Sequence, residues 1–358
     1  MTRSYSTYLN LLRILAALAV FLSHAAARSF TNGTVWAPER MGHKAVILFF
    51  VLSGYVIAYV AREREHTLAS FAVSRAARIY SVALPALAVS FAVQLLLWHL
   101  GSRVPVYQLT QPLKYLAVFT TFMGDSWFLR EDAFANVPYW SLFYEVWYYA
   151  GFAAVFYLRG WIRVVALVAV ALLTGPRIWL LAPLWLLGCL VYRLHGRAGP
   201  GRLPARLLFA ASLAAAWFVL VIDPNSAINA WADRLSGGWM GAHLRYSQYV
   251  LGDLLTGGVV AVNLYAARYA DLRFGWAARP IAWGASFTFA LYLLHYPLLQ
   301  FYAALHLPVP ALIAAVLGSA LLLGQVTERQ KDGLRAWMMA ALSVPAIGRI
   351  QARLPHSR

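Results

Sequence analysis

One cysteine, Cys189, stands in 358 residues, so no intramolecular disulfide can staple the fold and a disulfide scaffold is excluded. Charge is scarce as well. Only 12% of residues are Asp, Glu, Lys or Arg, about half the share carried by a soluble domain. Acids are the scarcest, 13 against 30 Lys and Arg. Low charge beside 61% hydrophobic residues excludes a disordered chain, and the composition also excludes a collagen-like fibre. An internal repeat is missing too, which counts against a transporter built from two related halves. With a mean hydropathy of +0.62, there is more apolar surface than one globular core can hide. The chain reads as a polytopic membrane protein.

What is present is a series of apolar runs separated by breakers and short basic loops. Ten spans are predicted, at residues 8–27, 45–61, 79–99, 138–158, 161–175, 178–193, 206–222, 249–266, 281–302 and 308–327. The fifth and sixth hinge on the Gly175-Pro176 break. An eleventh stretch, 113–122, is too short to cross and is expected to be re-entrant or interfacial. The fold class is thus all-α, a membrane helical bundle of about ten spans, with residues 1–327 as the transmembrane domain and 328–358 as a short basic tail. The net charge of +17 does not suggest a nucleic-acid partner, because the basic residues are scattered between apolar runs in the way that fixes membrane orientation. With a cytoplasmic N-terminus, 20 basic residues fall on the inside and 9 outside. A crossing by 113–122 would swap every later loop and erase most of that excess, so both termini are expected in the cytoplasm. Loops 100–137 and 223–248 are expected to fold as caps on the outer face. The first segment also fits a signal peptide, with Arg3, an apolar run and Ala25-Ala26-Ala27, but Arg13 and His24 favour a retained helix.

A charged side chain at the bilayer centre costs about 2.5–3.5 kcal/mol, so each needs a reason. Within the ten spans the acids are Glu145 and Asp253, the latter near a span end where water is expected. Arg13 is the one basic residue deep in an apolar run, and His24 and His295 are the histidines within spans. At 1.5 Å per residue, His24, Glu145 and His295 share the outer half of the membrane, with Arg13 towards the inner side. That pattern reads as a polar path with a proton-handling site at its outer part. Each residue also has a plainer reading. A membrane histidine is often an interhelical hydrogen-bond donor, Arg13 can snorkel, and the cluster from Tyr139 to Tyr149 suits an interface belt. Glu145 has no comfortable structural excuse.

These residues fall in a familiar order. Tyr8 to Val20 with Arg13, followed by His24, resembles the first helix of the acyltransferase-3 family of integral membrane O-acyltransferases, whose hallmark is an Arg and a His at this spacing. Phe49-Phe50-Val51-Leu52-Ser53-Gly54-Tyr55 resembles its second-helix signature, and Phe71 with Arg75, Arg78 and Ile79 its basic run. Trp140-Ser141-Leu142-Phe143-Tyr144-Glu145, with Tyr148 beyond, resembles its Trp-Ser-Leu helix. Ser286 with Tyr292-Leu293-Leu294-His295 resembles its late Ser–Tyr-Leu-x-His motif. The chain departs from the family at Asn10, where Asp is common, and at Ser81, where Pro is common.

The resemblance implies transfer of an acyl group, usually acetyl, from cytoplasmic acyl-CoA to a hydroxyl of a glycan or other acceptor. Exopolysaccharide, lipopolysaccharide O-antigen, peptidoglycan and a small metabolite stay open as acceptors, and no metal is implied. The residues fit such chemistry on their own terms. CoA is a polyanion, and Arg62, Arg64, Arg75 and Arg78 offer contacts to its phosphates on the inner side, with Ser53 and Ser141 as candidate contacts to the thioester carbonyl. The alternative reading of those arginines is plain topology signal. Arg13 is placed to position the pantetheine arm or the thioester carbonyl, His24 to act as general base, and Glu145 to orient His24 or stabilise its imidazolium as the acid does in a triad. Trp140, Ser141, Tyr148, Tyr292 and His295 are candidate acceptor contacts. A transporter or glycan flippase with a proton relay is the alternative class.

Overall fold

The computed structural model describes residues 1–38, 40–101 and 111–342. Among these, sixteen α-helices and three short 3-10 turns form the regular structure and no strand occurs. In chain order they are α1 (Arg3–Ala25), α2 (Arg28–Thr31), α3 (Met41–Glu63), α4 (Leu68–His99), α5 (Pro112–Thr120), α6 (Trp140–Tyr157), α7 (Gly160–Thr174), α8 (Pro176–Leu180), α9 (Ala182–Leu194), α10 (Arg202–Val221), α11 (Pro224–Leu235), α12 (Trp239–His243), α13 (Val250–Ala267), α14 (Ala278–Ala285), α15 (Thr288–Ala304) and α16 (Val309–Leu342). The all-α membrane bundle is as expected. Every one of the ten predicted segments is helical. By length and composition six are able to cross a membrane: α1, α3, α4, α10, α13 with its leading turn, and α16. The remaining four positions are held by the shorter α6, α7, α8–α9 and α14–α15.

Local chemistry sets the boundaries. Thr2 and Thr67 cap α1 and α4, each accepting from a backbone amide of the first turn. Pro112, Pro176 and Pro224 open α5, α8 and α11, where the missing N–H costs nothing. Gly175, at φ +76°, closes α7 in a conformation that few other residues adopt. Stretch 113–122 is the nine-residue α5 and the turn after it, too short to cross, with Tyr115 and Phe119 buried and Leu113 and Leu116 exposed.

Three boundaries differ from the sequence reading. α4 begins at Leu68, so Arg75 and Arg78 lie on a helix and not in a loop. The ninth segment is broken at Ser286-Phe287 into α14 and α15. α16 continues to Leu342, which carries Glu328 on a helix; the rest of the expected tail, 343–358, lies outside the described residues.

Packing follows side-chain size. α3 and α9 meet most closely, at Gly54 and Gly188, where a Cβ would stand 1.9 Å from a carbonyl oxygen of the other helix. α1 lies against α3, α14 and α15, while α4 packs on α15 and α16. α7 and α10 are peripheral and turn Trp161, Val165, Leu172, Leu207 and Trp217 outward, as lipid contact requires. The chain is an integral multi-pass membrane protein. Two faces can be named from contacts: the N-terminal face, where α1 starts, and the opposite face, where Gly42 at the start of α3 meets Ser23 near the end of α1.

Both expected caps fold over the opposite face, with 102–110 outside the described residues. Arg245 joins them, pairing with Asp132 at 2.7 Å and Asp125 at 3.4 Å, while Arg177 reaches Asp125 at 3.6 Å. Tyr144 donates to Asp125 and shares a 3.1 Å bond with Ser247. Burial pushes the Asp125 carboxyl up, and Tyr144, Arg245 and Arg177 pull it back.

Candidate active site

Helices α1, α3, α4, α6 and α15 line one cavity of about 100 Å³. Half of its lining residues are apolar, Val46, Phe49, Phe50, Ile57 and Leu142 among them, and the other half bring polar or charged groups to the same space. That combination is the usual form of a small-molecule site.

At the N-terminal-face end stand two guanidinium groups. Arg13 donates to the Thr288 hydroxyl at 3.3 Å. Thr288 is available because the α14–α15 break places it on the first turn of α15, its hydroxyl also donating to the Ala285 carbonyl at 2.9 Å. Arg78 lines the same cavity, and its side chain makes no direct hydrogen bond or ion pair among the described residues. The two cations are close enough to repel, and Glu328 and Glu145 partly offset them. Glu328 reaches across from α16 to the free amide of Ala290, 3.3 Å away, so it also caps the broken helix. Arg75 lines the cavity too but is tied to buried Glu65 at 2.8 Å.

The middle of the cavity belongs to Glu145. Its Oε1 accepts from Ser53 and from Tyr149, both at 2.5 Å, and Trp185 Nε1 donates to Ser53 at 3.2 Å. Two hydroxyl donors on one oxygen suit an ionised carboxylate. Oε2 has no hydrogen-bond partner among the described residues. Further along, Tyr292 donates to the Pro138 carbonyl at 2.9 Å, which leaves its oxygen to accept from Ser141 at 2.8 Å.

One turn beyond Tyr292, α15 meets α1. His24 Nδ1 and His295 Nε2 are 3.0 Å apart, with the rings stacked at 5.2 Å. His295 is fully buried, and Tyr296 packs edge-on against His24. Neither imidazole lines the cavity; Tyr292, which does, has its ring centroid 6.3 Å from that of His295.

An acyltransferase domain model, that of the acyltransferase-3 family, matches residues 6–329. The chain belongs to this family. No curated protein and no solved structure matches it. The family match covers every helix described above, from α1 through most of α16.

Against this family background the expected residues separate into three groups. Arg13, Ser53, Arg75, Arg78, Ser141, Glu145 and Tyr292 meet at the cavity. His24 and His295 meet each other, which corrects the expected pairing of His24 with Glu145: the carboxylate is taken by Ser53 and Tyr149. The third group does not reach either place. Arg62 and Arg64 are exposed, and Arg64 lies over Tyr59 beside a separate groove with Arg3 and Arg279. Tyr148 is spent on the Ile178 carbonyl at 2.7 Å. Trp140 is sandwiched between Tyr246 at 4.1 Å and His43 at 5.8 Å. Asp253 does not see water; it is buried and held by His43 at 2.9 Å.

Sequence reasoning missed Tyr149, Thr288 and Glu328. Tyr149 was legible as the residue one turn after Glu145 on the same helix face. Thr288 and Glu328 gave no such signal, because their importance comes from a helix break and from a helix that continues past its apolar run.

Proposed function

We propose that the protein transfers an acyl group, acetyl by the simplest reading, from cytoplasmic acyl-CoA to a hydroxyl of a cell-surface polysaccharide or its lipid-linked precursor, in the bacterial inner membrane. The carrying observation is the pair Arg13 and Arg78, two guanidiniums on one cavity without an ion-pair partner of their own among the described residues. Cations left so in an apolar site are costly unless an anionic or strongly polar ligand completes them. In this reading the N-terminal face is cytoplasmic, CoA phosphates meet Arg78 and Arg75, and Arg13 polarises the thioester carbonyl. The acceptor arrives from the opposite face. His24 takes its hydroxyl proton as oxygen attacks the acyl carbon; the C–S bond breaks, and the proton passes to the departing CoA thiolate. Glu145 orders Ser53 and Tyr149 along the donor's path.

Purified protein with acetyl-CoA should release free CoA only when an acceptor glycan is added, and His24→Ala should lower that rate by roughly 10²–10⁴-fold. A transporter would release none. Reporter fusions after Arg130 and after Gly196 should report outside and inside respectively; the reverse would overturn the orientation.

A further inference from the structure

We propose that His295 is the positioning residue for His24, a neutral imidazole standing where a catalytic triad has its carboxylate. The proposal rests on the acyl-transfer reading above, in which His24 is the base. It follows from counting protons along one hydrogen-bonded line. Nδ1 of His295 is 2.9 Å from the Leu291 carbonyl oxygen. A carbonyl oxygen only accepts, so that Nδ1 carries the proton, and in a neutral ring Nε2 is then bare. His24 presents its Nδ1 to this lone pair at 3.0 Å. Nδ1 of His24 therefore donates.

The consequence falls on the far nitrogen. With its proton on Nδ1, neutral His24 has a free lone pair at Nε2, and Nε2 has no hydrogen-bond partner among the described residues. The line Leu291 carbonyl, His295, His24 thus ends in a base. A bond with structural work alone would serve in either direction, but the reverse direction would put a proton on Nε2 and remove the base. Packing fixes the geometry: Phe21 and Tyr296 stand edge-on to His295 and His24. When Nε2 accepts the acceptor's hydroxyl proton, the new positive charge is shared through the Nδ1–H bond with His295, whose own Nδ1–H remains on Leu291. At rest the pair carries no net charge, which suits a site walled by helices in a membrane.

The test uses the full-length protein in lipid nanodiscs with ¹⁵N-labelled histidine. In the wild type, His24 should show a proton on Nδ1 and none on Nε2; the opposite tautomer overturns the proposal without any variant. His295→Phe keeps a flat ring but removes the acceptor, and should mix the His24 tautomers. It should also lower kcat by about 10- to 100-fold, with KM for acetyl-CoA unchanged because His295 does not line the cavity. His295→Gln, whose amide oxygen can accept at the Nε2 position, should restore both the tautomer and most of kcat. A folded Phe variant with wild-type tautomer and kcat would end the idea. A wild type that shows the expected tautomer yet never releases CoA would instead end the acyl-transfer reading.

Discussion

Two of the polar clusters among the described residues are built on opposite terms. On the opposite face, Asp125, Asp132, Arg177, Arg245, Tyr144 and Ser247 satisfy one another. Towards the N-terminal face, Arg13 has a single neutral hydroxyl and Arg78 has no direct partner among the described residues, although both border a cavity. A saturated cluster has nothing left to offer a ligand; its work is to hold the two caps together. An unsaturated one carries a standing cost that only a ligand removes. Both places hold two arginines inside the fold. Only the presence of partners separates structure from chemistry.

The largest effect should come from unbalancing the closed cluster. Asp125→Ala takes the carboxylate from buried Arg177 and leaves Arg245 with Asp132 alone, a loss of about 3–5 kcal/mol. Thermal unfolding should show a clearly lower Tm, while kcat/KM of the folded fraction stays near wild type; a loss of activity with Tm unchanged would erase the distinction. The open cluster should behave the other way. Removing one charge-assisted contact costs roughly 1.5–3 kcal/mol of ligand binding, so Arg78→Gln should raise KM for acyl-CoA by about 10- to 150-fold with Tm unchanged or higher, since repulsion with Arg13 is relieved. Arg75→Gln should fall between the two, with a smaller rise in KM and a lower Tm, because Glu65 loses its partner. Equal KM effects at Arg75 and Arg78 would show that ion pairing does not decide which arginine is available.

The smallest effect concerns a saturated site at the other end. His195, in the turn after α9, donates from Nε2 to the Tyr265 carbonyl and accepts at Nδ1 from Tyr55. Burial pushes its pKa down to about 4, and Arg268 adds to this, against 6.5 for an ordinary histidine. Between those values the unfolded chain binds a proton that the native one refuses. Stability is therefore complete above about pH 6.5 and declines as pH falls towards 4. His195→Gln keeps both hydrogen-bonding roles and should flatten the decline in Tm measured across that range.

Much of this was legible before any fold was seen. Arg13, His24, Glu145 and His295 stand out because ionisable groups in apolar runs need compensation, and all four make specific contacts. The order of motifs anticipated the family that the match over 6–329 establishes. Charge in an apolar sequence marks loops, which sets Arg75 and Arg78 outside α4 and Glu328 outside the bundle, yet a helix carries charge without ending when it turns that charge to a cavity. Depth estimated from the helical rise likewise suggests His24 with Glu145, whereas Glu145 sits mid-cavity beside Ser53 and Tyr149, and the Ser141–Tyr292 pair lies between it and the two histidines along the helices.

The sequence by itself determined the solvent, the class of secondary structure and the helical segments, because hydrophobic transfer and backbone hydrogen bonding in lipid act on runs of adjacent residues. It also determined which side chains would be expensive. Only the tertiary structure decided which of them meet. His24 finds His295 across 271 positions of chain, and Ser53 finds Glu145 across 92. Such partners depend on how each helix is rotated and which neighbour it faces. A hydrogen bond fails within about an ångström of misplacement, and no local preference along the chain specifies a lateral position that finely.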